Sequence, residues 1–180
     1  MRTEPLIAII AAAALSAACT KSEINNTYTS QSEKIEKYVS TLLDSNPDMR
    51  VVYNESVLRL VTAEGSGTEL EQGGTASILY AGYNFNTTSM SKSTLFATND
   101  SDVAASNGWT LTDESIFDAV DVCLSDDDIV KGLRMGLEGA REGEECLILF
   151  SGKYGFGKQV GTIPANAALA YSVKIQKVTN

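Results

Sequence analysis

The chain has 180 residues, enough for one compact domain plus appendages. Its net charge is −9 and it has no histidine. The first excludes a basic nucleic-acid footprint; the second excludes Ser-His and Cys-His catalysis and every histidine-ligated metal site. Chemistry is left to carboxylates, hydroxyls, amines, thiols or shape, and neither a metal nor a cofactor is expected.

Residues 1–18 read as a secretory signal rather than as part of the fold. Arg2 supplies a short charged start, Leu6 to Leu15 is apolar, and Ser16-Ala17-Ala18 are small residues ahead of Cys19. Small residues ending on a cysteine resemble a bacterial lipobox, in which Cys19 is lipidated and becomes the mature N-terminus. The expectation is an exported lipoprotein, anchored to a cell-envelope membrane and facing the periplasm. The alternative is an ordinary signal peptide with an incidental cysteine. Removing residues 1–18 takes away one Arg and one Glu, so the mature charge stays −9.

Residues 19–29 are polar and aperiodic and read as a flexible tether. Within 30–50 a helix is predicted. Ser30-Gln-Ser-Glu33 has the form of a capping box, and Ile35, Tyr38, Val39, Leu42 and Leu43 make one apolar face before Asn46-Pro47 stops it. That face can pack on its own domain or serve as an oligomer contact. Val51 to Val61 is β-rich and holds one or two strands, and Thr75 to Phe85 is a further strand with Gly82 inside it. The polar stretch 84–118, with the only tryptophan, Trp109, reads as an insertion with local structure.

Ser125 is expected to open a second helix with Asp126, Asp127 and Asp128 in its first turn, where anions complement the macrodipole. Ile129, Val130, Leu133 and Leu137 form its apolar stripe, and Gly139 lies near its end. Cys146 to Phe150 is a short apolar strand. In the last strand Leu169, Tyr171, Val173 and Ile175 alternate with Ala170, Ser172, Lys174 and Gln176, so one face is expected in the core and one in water. A helix against an antiparallel sheet is an α+β architecture. Cys123 and Cys146 can pair or stay as core thiols.

The glycines and lysine of 155–161 fit neither phosphate-binding nor dinucleotide-binding patterns. What remains is a set of aromatic and aliphatic residues near glycine turns, each ordinary in a core if taken singly. In order, however, Leu79-Tyr80-Ala81-Gly82, Ile129-Val130-Lys131-Gly132-Leu133, Gly139-Ala140-Arg141-Glu142-Gly143-Glu144, Lys153-Tyr154-Gly155 and Thr162-Ile163-Pro164-Ala165-Asn166-Ala167-Ala168-Leu169 resemble the motifs of FKBP-type peptidyl-prolyl cis-trans isomerases. The resemblance implies an FKBP-like domain over 51–180, with an antiparallel sheet wrapped around a short helix and the 84–118 segment inserted. It implies an apolar pocket for a prolyl side chain, with Tyr80, Phe96, Val130 and Tyr154 as catalytic residues and Leu133, Ile163 and Tyr171 as substrate-binding ones. The Val130 N–H would hold a substrate carbonyl and the Tyr154 hydroxyl would donate a second hydrogen bond. Proline-containing polypeptides are the implied partners.

Three positions depart from the family pattern. Ala97 stands where the family has an aspartate after Phe96, with Phe117-Asp118 as a rival alignment. Leu133 replaces a tryptophan, and Val120 stands at an aromatic position. The reading is therefore a prolyl isomerase for exported proteins or, alternatively, a catalytically weak or inactive peptide-binding module on the same fold.

Overall fold

The computed structural model describes residues 6–109 and 114–180, with the backbone alone for 6–20, 114 and 115. Helix α1 (Leu6–Ser45) leads into strands β1 (Arg50–Asn54) and β2 (Val57–Ala63), a hairpin turning at Glu55-Ser56. Then come β3 (Thr75–Asn84), β4 (Leu95–Thr98), the short α2 (Ser101–Ser106) and β5 (Val120–Cys123). Helix α3 (Lys131–Leu137), β6 (Glu145–Phe150) and β7 (Leu169–Thr179) complete the chain. Cys123 and Cys146, on β5 and β6, are free thiols.

All strand pairs are antiparallel, in the order β1-β2-β6-β7-β3. The outer edge of β3 is shared: Thr75 to Ile78 pair with β5, and Ala81 to Tyr83 pair with β4. Side chains alternate across the sheet, so two cores form. Ile78, Ile148, Phe150, Leu169, Tyr171 and Val173 face α3. Leu58, Leu60, Ala81, Tyr83, Leu149 and Ala170 face α1. The back of β7 is thus covered at Ala170, where the alternation alone predicted a solvated face, and open further along at Gln176.

Helix α1 lays Ile35 and Val39 on the outer core, with Tyr38 edge-on to Phe85 at 5.0 Å. It does not begin at Ser30, and residues 21–29, expected as part of a tether, are helical. Ile24, Tyr28, Gln31 and Ile35 continue one stripe. Its middle is fastened by polar bonds that no hydrophobic period reveals. Tyr28 donates to Asn166 Oδ1 (2.8 Å), Gln31 donates to the Asn166 carbonyl (2.9 Å), and the Gly152 N–H donates to Gln31 (2.8 Å). The signal segment and Cys19 lie outside the residues whose side chains are described.

Helix α3 starts at Lys131, not at Ser125. Asp126 instead closes an Asx turn, accepting the Asp128 N–H at 2.9 Å, and its carbonyl takes the Ile129 N–H. A short side chain that captures nearby N–H groups competes with helix formation. Once begun, α3 lies close on β6 because Gly132 and Gly136 lack side chains. A Cβ on either would overlap the Phe150 ring or Ile148. Gly139, at φ +72°, ends the helix as expected.

Candidate functional site: an apolar pocket at the split edge of the sheet

Between Ile78 and Ala81, β3 has lost β5 and not yet gained β4. There the Asn99 carboxamide stands in for a strand. It accepts the Tyr80 N–H (2.6 Å) and donates to the carbonyls of Ile78 and Asp118 (both 3.0 Å). Thr98 Oγ1 donates to the Tyr80 carbonyl at 2.7 Å, so both backbone groups of Tyr80 are held while its ring points inward. Asp100 follows as the N-cap of α2 and pairs with Lys174 at 2.7 Å.

This edge frames a cavity of about 300 Å³, at the small end of the ligand-pocket range. Ile78 and Tyr80 enter it from β3, Phe96 from β4, Val120 and Val122 from β5, and Tyr171 from β7. Ile129, Val130 and Leu133 come from the start of α3, and Phe156 from the loop after the 3-10 turn Gly152–Tyr154. Exposed Asp121 and Asp128 are the charged residues along it, and Asp121 accepts from Ser77 Oγ.

The aromatic wall is organised around Tyr171. Phe96 meets it edge-on at 5.9 Å, Phe150 stacks on it at 6.0 Å, and Tyr80 lies tilted at 6.1 Å. Phe96 fits because position 82 is glycine; a Cβ there would come within 2.6 Å of its ring. Val130 is the N-cap of α3 and its carbonyl accepts the Leu133 N–H at 3.0 Å. Its own N–H has no acceptor among the described residues, as the first N–H groups of a helix ordinarily have none. Burial pushes the Tyr80 and Tyr171 hydroxyls above the ordinary phenol range, so both remain protonated.

Five of the residues singled out by the sequence therefore meet in one cavity: Tyr80, Phe96, Val130, Leu133 and Tyr171. Tyr154 and Ile163 do not line it. Tyr154 is 2% exposed, packed in the core under α3, and its hydroxyl donates to Glu55 Oε2 at 2.7 Å. Lys153 and Lys131 lie over its ring, with Nζ at 4.9 and 5.6 Å from its centre. Ile163 is buried behind the Val160–Ile163 bridge. Tyr154 ends the 3-10 turn and stays in the core, whereas Phe156, past Gly155, reaches the pocket. Phe156 carried no sequence signal, because the segment that leaves a 3-10 turn has no regular phase. Asn99 carried none, being one of many polar residues in a polar stretch.

Two wider grooves, about 650 and 480 Å³, flank α1. They are lined mainly by carboxamide, hydroxyl and lysine groups, and none of the seven candidate catalytic and substrate-binding residues borders them. Volume alone does not mark a site. The smaller pocket is where apolar walls and unpaired donors converge.

Fold and pocket together define an FKBP-like domain, and comparison with known proteins agrees. The model of the FKBP-type peptidyl-prolyl cis-trans isomerase family matches residues 67–176, more than half of the chain. The chain belongs to that family. No curated protein matches the sequence. Among solved structures, FkpA from Escherichia coli is similar at 15% identity and a TM-score of 0.56, over 96% of this chain and 70% of that one. A multi-domain immunophilin from Arabidopsis thaliana is similar at 17% identity and a TM-score of 0.56, over 74% of this chain and 46% of that one. The three FKBP domains of wheat FKBP73 are similar at 14% and 0.54, over 73% and 51%. The chain spans about half the length of these two plant proteins, and at such identities the likeness is one of fold.

Proposed function

We propose that the chain is a peptidyl-prolyl cis-trans isomerase that assists the folding of exported proteins. The observation carrying this reading is the aromatic pocket at the start of α3, within the segment the family model matches, with the Val130 N–H unpaired beside it. A prolyl residue suits such a site. Its ring is apolar, and it offers carbonyl acceptors but no N–H of its own.

Rotation about an X-Pro bond crosses a barrier of about 18–20 kcal/mol and takes tens to hundreds of seconds unaided. Twisting the bond breaks amide resonance and makes the carbonyl less polar. A desolvated apolar wall then favours the twisted imide over the planar one, with the Val130 N–H holding a substrate carbonyl in place. Catalysis of this kind is differential binding and needs no covalent intermediate.

The second reading is a module that grips proline-containing segments without isomerising them, favoured by Ala97 at the position of the family's aspartate. A protease-free isomerisation assay on a proline tetrapeptide separates the two. Acceleration by wild type supports the enzyme. Peptide binding with no acceleration in wild type, and acceleration in Ala97→Asp, establishes the binding module instead.

The lipoprotein anchor is a further part of the proposal, supported by the Ser16-Ala17-Ala18-Cys19 pattern. Among the described residues no helix is long and apolar enough to cross a membrane. Cys19→Ser is expected to move the protein from the membrane fraction to the soluble one. Unchanged fractionation defeats the anchor.

A further inference from the structure

With Tyr154 turned into the core, the pocket lacks the hydroxyl donor that the resemblance assigned to it. Tyr171 supplies another. Its side chain is 5% exposed, enclosed by Phe96, Phe150 and Tyr80, and it lines the cavity. Its hydroxyl has no hydrogen-bond partner among the described residues, yet it is not among the polar atoms sealed away from the surface. A phenylalanine would pack the same space equally well, so the hydroxyl adds nothing to the core. A polar atom kept unpaired and open to a ligand-sized cavity is placed for a ligand acceptor.

We propose that the Tyr171 hydroxyl is the hydrogen-bond donor of this pocket and that it takes the carbonyl of the rotating imide, the one preceding proline. The inference rests on the prolyl-binding reading above. Val130, at the helix start, holds a carbonyl through its backbone. Tyr171, in the aromatic wall, holds the imide carbonyl of the bound peptide. Twisting makes that carbonyl a poorer acceptor, so the contact binds and orients the peptide rather than favouring the twisted state, and its loss falls on affinity and KM more than on kcat. Tyr80, the other phenol in the cavity, is only half-buried and is the rival donor.

The test compares wild type, Tyr171→Phe, Tyr80→Phe and Tyr154→Phe in the protease-free isomerisation assay, with peptide affinity measured by calorimetry. Two peptides are used: the ordinary proline tetrapeptide, and one whose carbonyl before proline is a thiocarbonyl, a poorer acceptor. Tyr171→Phe is expected to lower peptide affinity about tenfold, seen as a higher KM if the protein also isomerises. Its melting temperature stays level or rises, and its deficit shrinks on the thiocarbonyl peptide. Tyr154→Phe keeps full activity. Peptide affinity of Tyr171→Phe within twofold of wild type, an equal deficit on both peptides, or the whole loss reproduced by Tyr80→Phe alone overturns the inference and leaves the isomerase reading standing. A wild type that neither binds nor accelerates overturns both.

Discussion

Asp100 shows how one side chain joins several parts of the pocket wall. One carboxylate oxygen accepts the N–H groups of Asp102 and Val103 at 3.0 and 3.3 Å, starting α2, and the other meets Lys174 on β7 at 2.7 Å. Burial works against its charge, but Lys174 and those N–H groups outweigh it and hold the carboxyl below its ordinary range. A carboxyl depressed in the folded state stabilises above its unfolded pKa of about 4, and the effect is lost as pH falls through the lower folded value. Asparagine can still cap α2 but cannot pair with Lys174. Asp100→Asn should therefore melt below wild type at pH 7, with the gap closing on acidification below about pH 4. A gap that stays constant from pH 7 to 2.5 would rule out the ion pair as its source.

At the scale of elements, the pocket depends on where α3 is held. Its start offers Val130 and Leu133 to the cavity, and its end is gripped by Arg59. That guanidinium donates to the carbonyls of Gly136 and Glu138 (both 2.8 Å) and of Gly139 (3.2 Å). A cation at the carbonyl end of a helix is favourably placed. Its other partner is the Glu144 carboxylate, 3.1 Å away, and both side chains are almost wholly enclosed, at 4% and 0% exposed. Burial pushes the Glu144 carboxyl up, against the pull of Arg59. Removing one member of such a pair strands the other's charge in the core. Arg59→Met should cost about 3–5 kcal/mol in denaturant unfolding. Adding Glu144→Leu should recover most of that loss, and a double variant no better than the single one would refute the pairing argument.

At the scale of the molecule, the sheet is shared between a helix that builds the pocket and a helix that covers its back. Without α1, Leu58, Leu60, Tyr83, Phe85 and Leu149 would stand on an open face. Ile35 and Val39, the two most buried α1 hydrophobics among the described residues, close it. Val39→Asp, which sets a carboxylate against that core, should lower the melting temperature by at least 10 °C and expose dye-binding apolar surface. A variant as stable as wild type would mean that α1 serves some other contact. The FkpA likeness covers 96% of the chain, so most of α1 falls within it, whereas the family model begins only at residue 67.

How much of this was legible beforehand depended on the range of the forces involved. The strands at 75–85, 146–150 and 169–176, the stop at Asn46-Pro47 and the glycine exit of α3 follow from period, turn chemistry and backbone freedom, all local properties. Ordered motifs placed Tyr80, Phe96, Val130, Leu133 and Tyr171 together because each sits on a regular element with a fixed phase. Loops have no such phase, so Tyr154 lies in the core, where Glu55, almost a hundred positions earlier, takes its hydroxyl, and Phe156 lines the pocket. The start of α3 and the polar anchoring of α1 were equally hidden, because each turns on hydrogen bonds that compete with or replace a hydrophobic pattern. By itself the sequence determined an antiparallel sheet around a short helix, with an aromatic pocket beside it. Only the tertiary structure decided which phenols face that pocket, because that depends on which distant side chains reach them first.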